Sequence, residues 1–247
     1  MSSTSERRSD SLPRLSRALL ESSLHQVSRW VEKHDYKGYD PADGNASWLH
    51  SLTFGHVFLQ RVLQQIVLRS PWNLRPLLGV PFLDSPHARG YMAWGYTRLF
   101  TQTGNPALRE RAVGCLDWLI QHRSPGYPQF CWGNQFNYAT RTGKRSRYEP
   151  IIVWTSLIGQ AFLEAYEEWG DQRYLEVVDS IADWILSLPR EETPTGTCLS
   201  YVAYKQVSIH NSNMLGAALL ARPHNLKPNP AALLEVAGEA MRYSCTR

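Results

Sequence analysis

Cysteine is scarce, and its placement excludes more than its number. Cys115, Cys131, Cys198 and Cys245 are widely separated and form no Cys-x-x-Cys pair, so neither a zinc ribbon nor a thioredoxin-like redox site is indicated. Reduced thiols are expected. Long apolar runs are also missing: patches such as Ile151 to Trp154 are short, far below the roughly 18 consecutive apolar residues of a membrane span. Charge of one sign never accumulates over the chain as a whole. The 26 Lys and Arg and 22 Asp and Glu are spread along it, which is not the clustered basic footprint of a nucleic-acid binder. The cofactor signatures Gly-x-Gly-x-x-Gly, the Walker loop, His-Glu-x-x-His and Gly-x-Ser-x-Gly do not occur. No cofactor and no metal are therefore expected. Met1 to Pro13, rich in Ser and Arg, lacks the apolar stretch of a signal peptide and reads as a disordered tail. A soluble, cytoplasmic protein is the expectation. Asn45-Ala46-Ser47 matches a glycosylation sequon but reads as part of a turn.

What is present is a globular composition, 247 residues with 43% hydrophobic and 11% aromatic content, enough to bury one large core or two smaller ones without disulfides or metals. The organisation appears when helix starts are aligned. Asn105-Pro106, Asp171 and Asn229-Pro230 each have the pattern of an N-cap, twice with proline in the first helical position. After each cap one apolar stripe recurs at the same offsets: Leu108, Ala112, Leu116 and Leu119, then Tyr174, Val178, Ala182 and Ile185, then Ala232, Val236, Ala240 and Tyr243. Before each cap lies a second helical pattern, with small residues Ala93, Gly159 and Ala217 followed by Tyr96, Phe162 and Leu220. Each unit is thus a helix hairpin, and long loops rich in aromatic and polar residues separate the hairpins. An earlier hairpin is expected from Leu20, Leu24, Val27 and Val31 in one helix and Phe54 through Leu68 in the next, joined by Asp40-Pro41-Ala42-Asp43-Gly44.

Ile151 to Tyr166 is apolar almost all round, whereas Gln172 to Leu188 is amphipathic, the contrast between an inner and an outer layer. The fold expected is therefore all-α, with about four helix hairpins in an (α/α) toroid over residues 14–247, an irregular helical solenoid being the alternative. Because a ring closes only when its last hairpin packs on its first, a four-hairpin chain leaves an apolar flank. The toroid is expected to be incomplete, truncated at its C-terminal end or completed by association.

Three groups of residues could carry chemistry. From Gln129 to Arg147, Trp132, Asn134, Tyr138 and Arg141 set aromatic faces beside amides and cations, the mixture that stacks on pyranose rings and pairs with hydroxyls and carboxylates; a loop anchored by buried aromatics is the competing reading. Ser200, Tyr201, His210, Asn211 and Asn213 precede or open a small-residue helix, where exposed backbone amides favour anions. His210 and Tyr201 are candidate acids or bases, and capping is the simpler role for Asn211 and Asn213. Asp40, Asp43 and Glu149 are candidate carboxylates for glycosidic chemistry, although Asp40-Pro41 and Asp43-Gly44 are ordinary turn sequences. A calcium site there lacks the ligand series of a recognised loop. The aspartate-rich motifs of terpene cyclases are absent, which ranks a prenyl- or lipid-handling toroid last.

In order, Tyr36-Lys37-Gly38-Tyr39-Asp40-Pro41, Cys131-Trp132-Gly133, Val153-Trp154-Thr155, and Ser200-Tyr201 with His210-Asn211-Ser212-Asn213 resemble the VpsJ-type α/α-toroid proteins of bacterial capsule and exopolysaccharide clusters, within the six-hairpin glycosidase-like and prenyltransferase-like toroids. The similarity spans nearly all of the chain after the tail. It departs at Ala42 and at Asn45-Ala46-Ser47. The resemblance implies further hairpins beyond the position of Arg247, adds Thr155 to the substrate-binding candidates, and implies a polysaccharide context with oligo- or polysaccharide and other biosynthesis components as partners. The expected function is a carbohydrate-active protein acting on a glycan or glycan precursor in polysaccharide biosynthesis or modification, glycoside hydrolase-like or polysaccharide lyase-like if it is an enzyme. The alternative is a non-catalytic glycan-binding or assembly protein.

Overall fold

The computed structural model describes residues 16–141, 143–222 and 231–246, and the chain forms two compact units, Met1–Lys37 and Gly38–Arg247. The expected tail, Met1 to Pro13, and the Asn229-Pro230 cap lie outside the described residues. In the first unit, helix α1 (Arg17–Lys33) starts at Ser16, whose hydroxyl accepts the Leu19 amide at 3.2 Å, as an N-cap does. It closes where His34 Nδ1 meets the Trp30 carbonyl at 2.7 Å.

The second unit begins with two 3-10 turns, Asp43–Ala46 and Trp48–Thr53, and helix α2 (Val57–Arg69). Three hairpins follow: α3 (Pro86–Thr103) with α4 (Pro106–Gln121), α5 (Ile152–Trp169) with α6 (Gln172–Leu186), and α7 (His210–Ala221) with α8 (Ala231–Cys245). Two of the three caps read from the sequence are seen to be made, Asn105 Oδ1 accepting the Ala107 amide at 3.1 Å and Asp171 Oδ1 the Arg173 amide at 3.0 Å. Gly104 and Gly170 end the preceding helices at φ 66° and 69°, a left-handed turn that costs glycine nothing. Hairpin formation therefore follows from local chemistry.

Packing then sorts the hairpins into layers. Helices α3, α5 and α7 lie side by side, α5 between the other two, and α4, α6 and α8 each cover their own partner. This is the layering of an α/α toroid. A Cβ on Gly90 of α3 would stand 2.7 Å from Ile158 of α5, and one on Gly159 of α5 would stand 2.6 Å from Leu219 of α7; glycine here lets the inner helices approach. Flanked on three sides, α5 buries ten of its 18 residues and exposes Glu167 and Glu168 alone, whereas α6 buries one face and exposes Gln172, Arg173, Glu176 and Asp183. In α4 and α6 the expected stripe is buried, apart from a half-buried Leu108. In α8 the buried face is rotated to Leu233, Ala237, Ala240 and Tyr243, leaving Ala232 exposed. The reason is a second neighbour: α8 packs on the β-hairpin Arg190–Thr193/Gly196–Leu199 as well as on α7. Helix α2 packs on the 3-10 turns and on a second β-hairpin, Tyr138–Thr140/Gly143–Arg145.

At the C-terminal ends of the inner helices, Arg98 of α3 pairs with Glu164 of α5 at 3.0 Å, and Arg222 after α7 reaches Glu167 at 2.6 Å and Glu164 at 3.4 Å. At the opposite ends the inter-hairpin loops are laced together: Ile151 donates to the Trp132 carbonyl at 3.2 Å and Ile152 to that of Tyr201 at 3.1 Å. No helix among the described residues is long and apolar enough to cross a membrane.

Candidate functional site

The laced end carries a continuous strip of aromatic side chains. On the first turn of α3, His87 is held by a 2.7 Å hydrogen bond between Nδ1 and Ser85 Oγ. Its ring stacks on Trp154 of α5, centroids 4.9 Å apart and planes 14° apart, while Tyr91, one helical turn further on, meets it edge-on at 6.4 Å. Trp154 lies 6.3 Å from Tyr138, the first residue of the second β-hairpin. The Tyr138 phenol neighbours that of Tyr201, and burial pushes both phenols above the ordinary tyrosine value, so both stay protonated. The Arg145 guanidinium, opposite Tyr138 in the hairpin register, lies 5.6 Å from the Tyr201 ring and donates to the Tyr204 hydroxyl at 2.7 Å. Tyr91 and Tyr204, at the two ends, are exposed, His87, Trp154 and Tyr201 are half-buried, and Tyr138 is buried.

Carboxylates stand at both ends of the strip. Beside His87 is Asp40, whose Oδ1 caps the Ala42 amide at 2.7 Å. Desolvation lowers the His87 pKa and Asp40 acts against that shift, leaving a neutral imidazole at neutral pH whose Nε2 makes no hydrogen bond among the described residues. Asp43 is 2% exposed and accepts Arg75 Nε on both oxygens at 2.8 Å and the Asp40 amide at 3.0 Å. Burial raises its carboxyl above the usual value in spite of Arg75. At the far end Glu149 accepts the Ser146 amide at 3.2 Å and is raised by burial, against the pull of that amide, Arg145 and Lys205. Gly133 positions it, since a Cβ there would fall 2.1 Å from the Glu149 carbonyl oxygen.

Of the residues read from the sequence, Asp40, Tyr138 and Tyr201 come together here with Glu149. Asp43 lies beside Asp40 but is engaged by Arg75, Arg141 sits exposed on the turn of the hairpin that begins at Tyr138, and the others are dispersed. Trp132 is fully buried, its Nε1 donating to the Leu119 carbonyl at 3.0 Å and its amide to Thr155 Oγ1 at 3.2 Å, so both act in packing. Asn134 is buried and its carbonyl accepts the Tyr148 amide at 2.5 Å. Asn213 is buried between the Leu199 amide, the Ala240 carbonyl and Ser244, tying α7 to α8. His210 and Asn211 are exposed, and the His210 ring lies 5.6 Å from Tyr243 on α8. Sequence reasoning missed His87, Arg145 and Tyr204. A signal existed for the first: Ser85-Pro86 is a helix start, which places His87 at the loop-bearing end of an inner helix.

Among the described residues no group of three or more His, Cys, Asp or Glu side chains is placed to hold a metal ion. Cys131, near this end, is a buried thiol pushed up to about 12 by desolvation, and so inert at neutral pH.

No family model and no curated protein matches the sequence. Among solved structures the chain is similar to a family 76 glycoside hydrolase from a bovine Bacteroides thetaiotaomicron strain, with a TM-score of 0.45 and 13% sequence identity. The match covers 66% of this chain and spans 35% of the length of that hydrolase.

Proposed function

We propose that this protein is carbohydrate-active and holds a glycan or glycan precursor across the strip Tyr91, His87, Trp154, Tyr201, Tyr204, in polysaccharide biosynthesis or modification of the capsule or exopolysaccharide kind. The observation that carries this is the strip itself. Half-buried aromatic faces in series, with fixed polar groups at intervals, are an apolar wall for the C–H faces of sugar rings with hydrogen-bonding groups to orient them. The sequence resemblance to VpsJ-type toroids supplies the polysaccharide context. His87, with one nitrogen anchored by Ser85 and Asp40 nearby to stabilise the imidazolium, has the geometry of an acid–base residue; Glu149 and Tyr201 are the corresponding candidates at the other end.

Titration of the purified protein with malto-, cello-, manno- and uronate-containing oligosaccharides, followed by calorimetry and by reducing-end or unsaturated-product formation, tests this reading. Binding to at least one class is expected, weakened tenfold or more by Trp154→Ala without loss of fold. Binding that Trp154→Ala leaves unchanged removes the strip as the sugar platform. A second reading, a non-catalytic glycan-binding or assembly protein, is favoured by one observation: Asp43, one of the two carboxylates available for hydrolysis in the first loop, is engaged by Arg75 on both oxygens. Binding without turnover selects it.

A further inference from the structure

We propose that the glycan is anionic, its acidic groups recognised by the β-hairpin turn Arg141–Arg147 together with Lys205. This rests on the glycan reading above and names the substrate class for the same site. Charge that is dispersed elsewhere in the chain is concentrated here: Arg141, Lys144, Arg145 and Arg147 fall within one turn and its flanks. The fold adds Lys205 from the loop before α7, whose Nζ lies 3.8 Å from the position a Cβ on Gly143 would occupy and 5.5 Å from the Tyr204 ring.

Their setting separates them into a foundation and a rim. Arg145, 1% exposed, supports Tyr201 and Tyr204 from below. Arg141, Lys144, Arg147 and Lys205 are exposed. The carboxylate that the described contacts bring among them is Glu149, one acidic group against these four exposed cations, so it offsets them only in part. The rim is also held in place, because the Ala139 amide at the hairpin root donates to Gln64 Oε1 at 2.7 Å, and the same oxygen accepts Asn45 Nδ2 at 2.6 Å. Since Arg145 donates to the Tyr204 hydroxyl, the cations begin where the aromatic strip ends. A chain of sugars laid on the strip therefore runs into guanidinium and ammonium groups, which pair with carboxylates by charge-assisted hydrogen bonds and attract them before contact.

The test measures affinity for tetragalacturonate, its fully methyl-esterified form, mannuronate and hyaluronan oligosaccharides, and neutral malto-, cello- and manno-oligosaccharides at low and high salt. At least one acidic oligosaccharide is expected to bind tenfold or more tightly than every neutral one, with the preference collapsing as salt screens it. The variant Arg141→Gln/Lys144→Gln/Arg147→Gln, all at exposed positions, is expected to keep its melting temperature while acidic affinity falls to the neutral level. Neutral sugars bound as tightly as acidic ones overturn the anionic assignment and leave the glycan reading standing. An acidic preference that survives the triple substitution overturns the assignment to the hairpin. Binding of no sugar overturns the glycan reading, and this inference with it.

Discussion

Asp43 shows how a single residue can be read two ways until its partners are known. A carboxylate in an Asp-Pro-Ala-Asp-Gly loop is equally a turn residue or a catalytic group, and here burial decides, because a carboxylate 2% exposed needs a cation. Arg75 supplies it across 32 residues of sequence, a separation at which no local pattern reports. Removing one partner leaves an uncompensated buried charge, so Arg75→Met is expected to destabilise the protein by about 3 kcal/mol. Replacing both, as Asp43→Leu/Arg75→Met, should recover most of that loss, because two apolar groups leave no charge to compensate. Chemical denaturation of the wild type, the two single variants and the double variant measures the cycle. A double variant as unstable as the worse single one would assign Asp43 another role, since its bonds to the Asp40 loop would then matter more than the ion pair.

At the scale of elements, two glycine-dependent approaches build the site. One is between inner helices, where Gly90 brings α3 close enough to α5 for His87 to stack on Trp154 and Gly159 brings α5 up to α7. The other is between loops, where Gly133 bridges to Pro150 and the backbone of Glu149 occupies the space a side chain would fill. The obstacle at Gly133 is backbone, and relief requires the segment Tyr148–Pro150 to move. Gly133→Ala is therefore expected to cost about 2 kcal/mol, in the range for forced backbone shifts. Because that segment leads directly into α5, the same change should shift the tryptophan fluorescence and weaken sugar binding along with stability. An alanine variant with unaltered melting temperature would mean that the two loops can separate freely, contrary to the approach described.

For the whole molecule, the buried titratable groups predict how stability follows pH. His87 is depressed by desolvation below its ordinary value of 6.5. In the unfolded chain it takes up a proton near 6.5, while in the folded protein it resists, so the unfolded state binds more protons and stability falls as pH drops below about 6.5. Asp43 and Glu149 carry the opposite sign: their folded values lie above the unfolded ones, so their contribution is present at low pH and is lost as pH rises through the folded values. The carboxyl window opens near 4 and the imidazole window closes near 6.5, and the carboxyls are common to the wild type and a His87 variant, so comparing the two isolates the imidazole. Between pH 7.5 and 5.5, thermal unfolding of the wild type should therefore lose more stability than that of His87→Gln, which keeps a planar polar side chain but cannot titrate. Parallel pH profiles for the two proteins would show that His87 reaches solvent on protonation at little cost.

The sequence by itself determined the hairpins and their layers. Caps such as Asn105 and Asp171, the glycines at 104 and 170 and the contrast between the apolar α5 and the amphipathic α6 act over a few residues, so their consequences can be read from spacing. The aromatic character of the loops and the turn chemistry of Asp40 were equally legible. What the tertiary structure decided was which loop side chains share a surface. Trp132 and Asn213 look like ligand-binding residues in isolation, yet each is drawn inward because a buried N–H or amide must find a partner, Leu119 for one and Leu199 and Ala240 for the other. His87 looks like any helix-start polar residue, yet the parallel arrangement of α3 and α5 sets it against Trp154. Even the face that α8 buries depends on a β-hairpin that the helical period cannot report. Helices and their ends follow from interactions a few residues apart. A site assembled from the ends of three hairpins depends on how those hairpins pack, and that is settled by contacts between segments far apart in the chain.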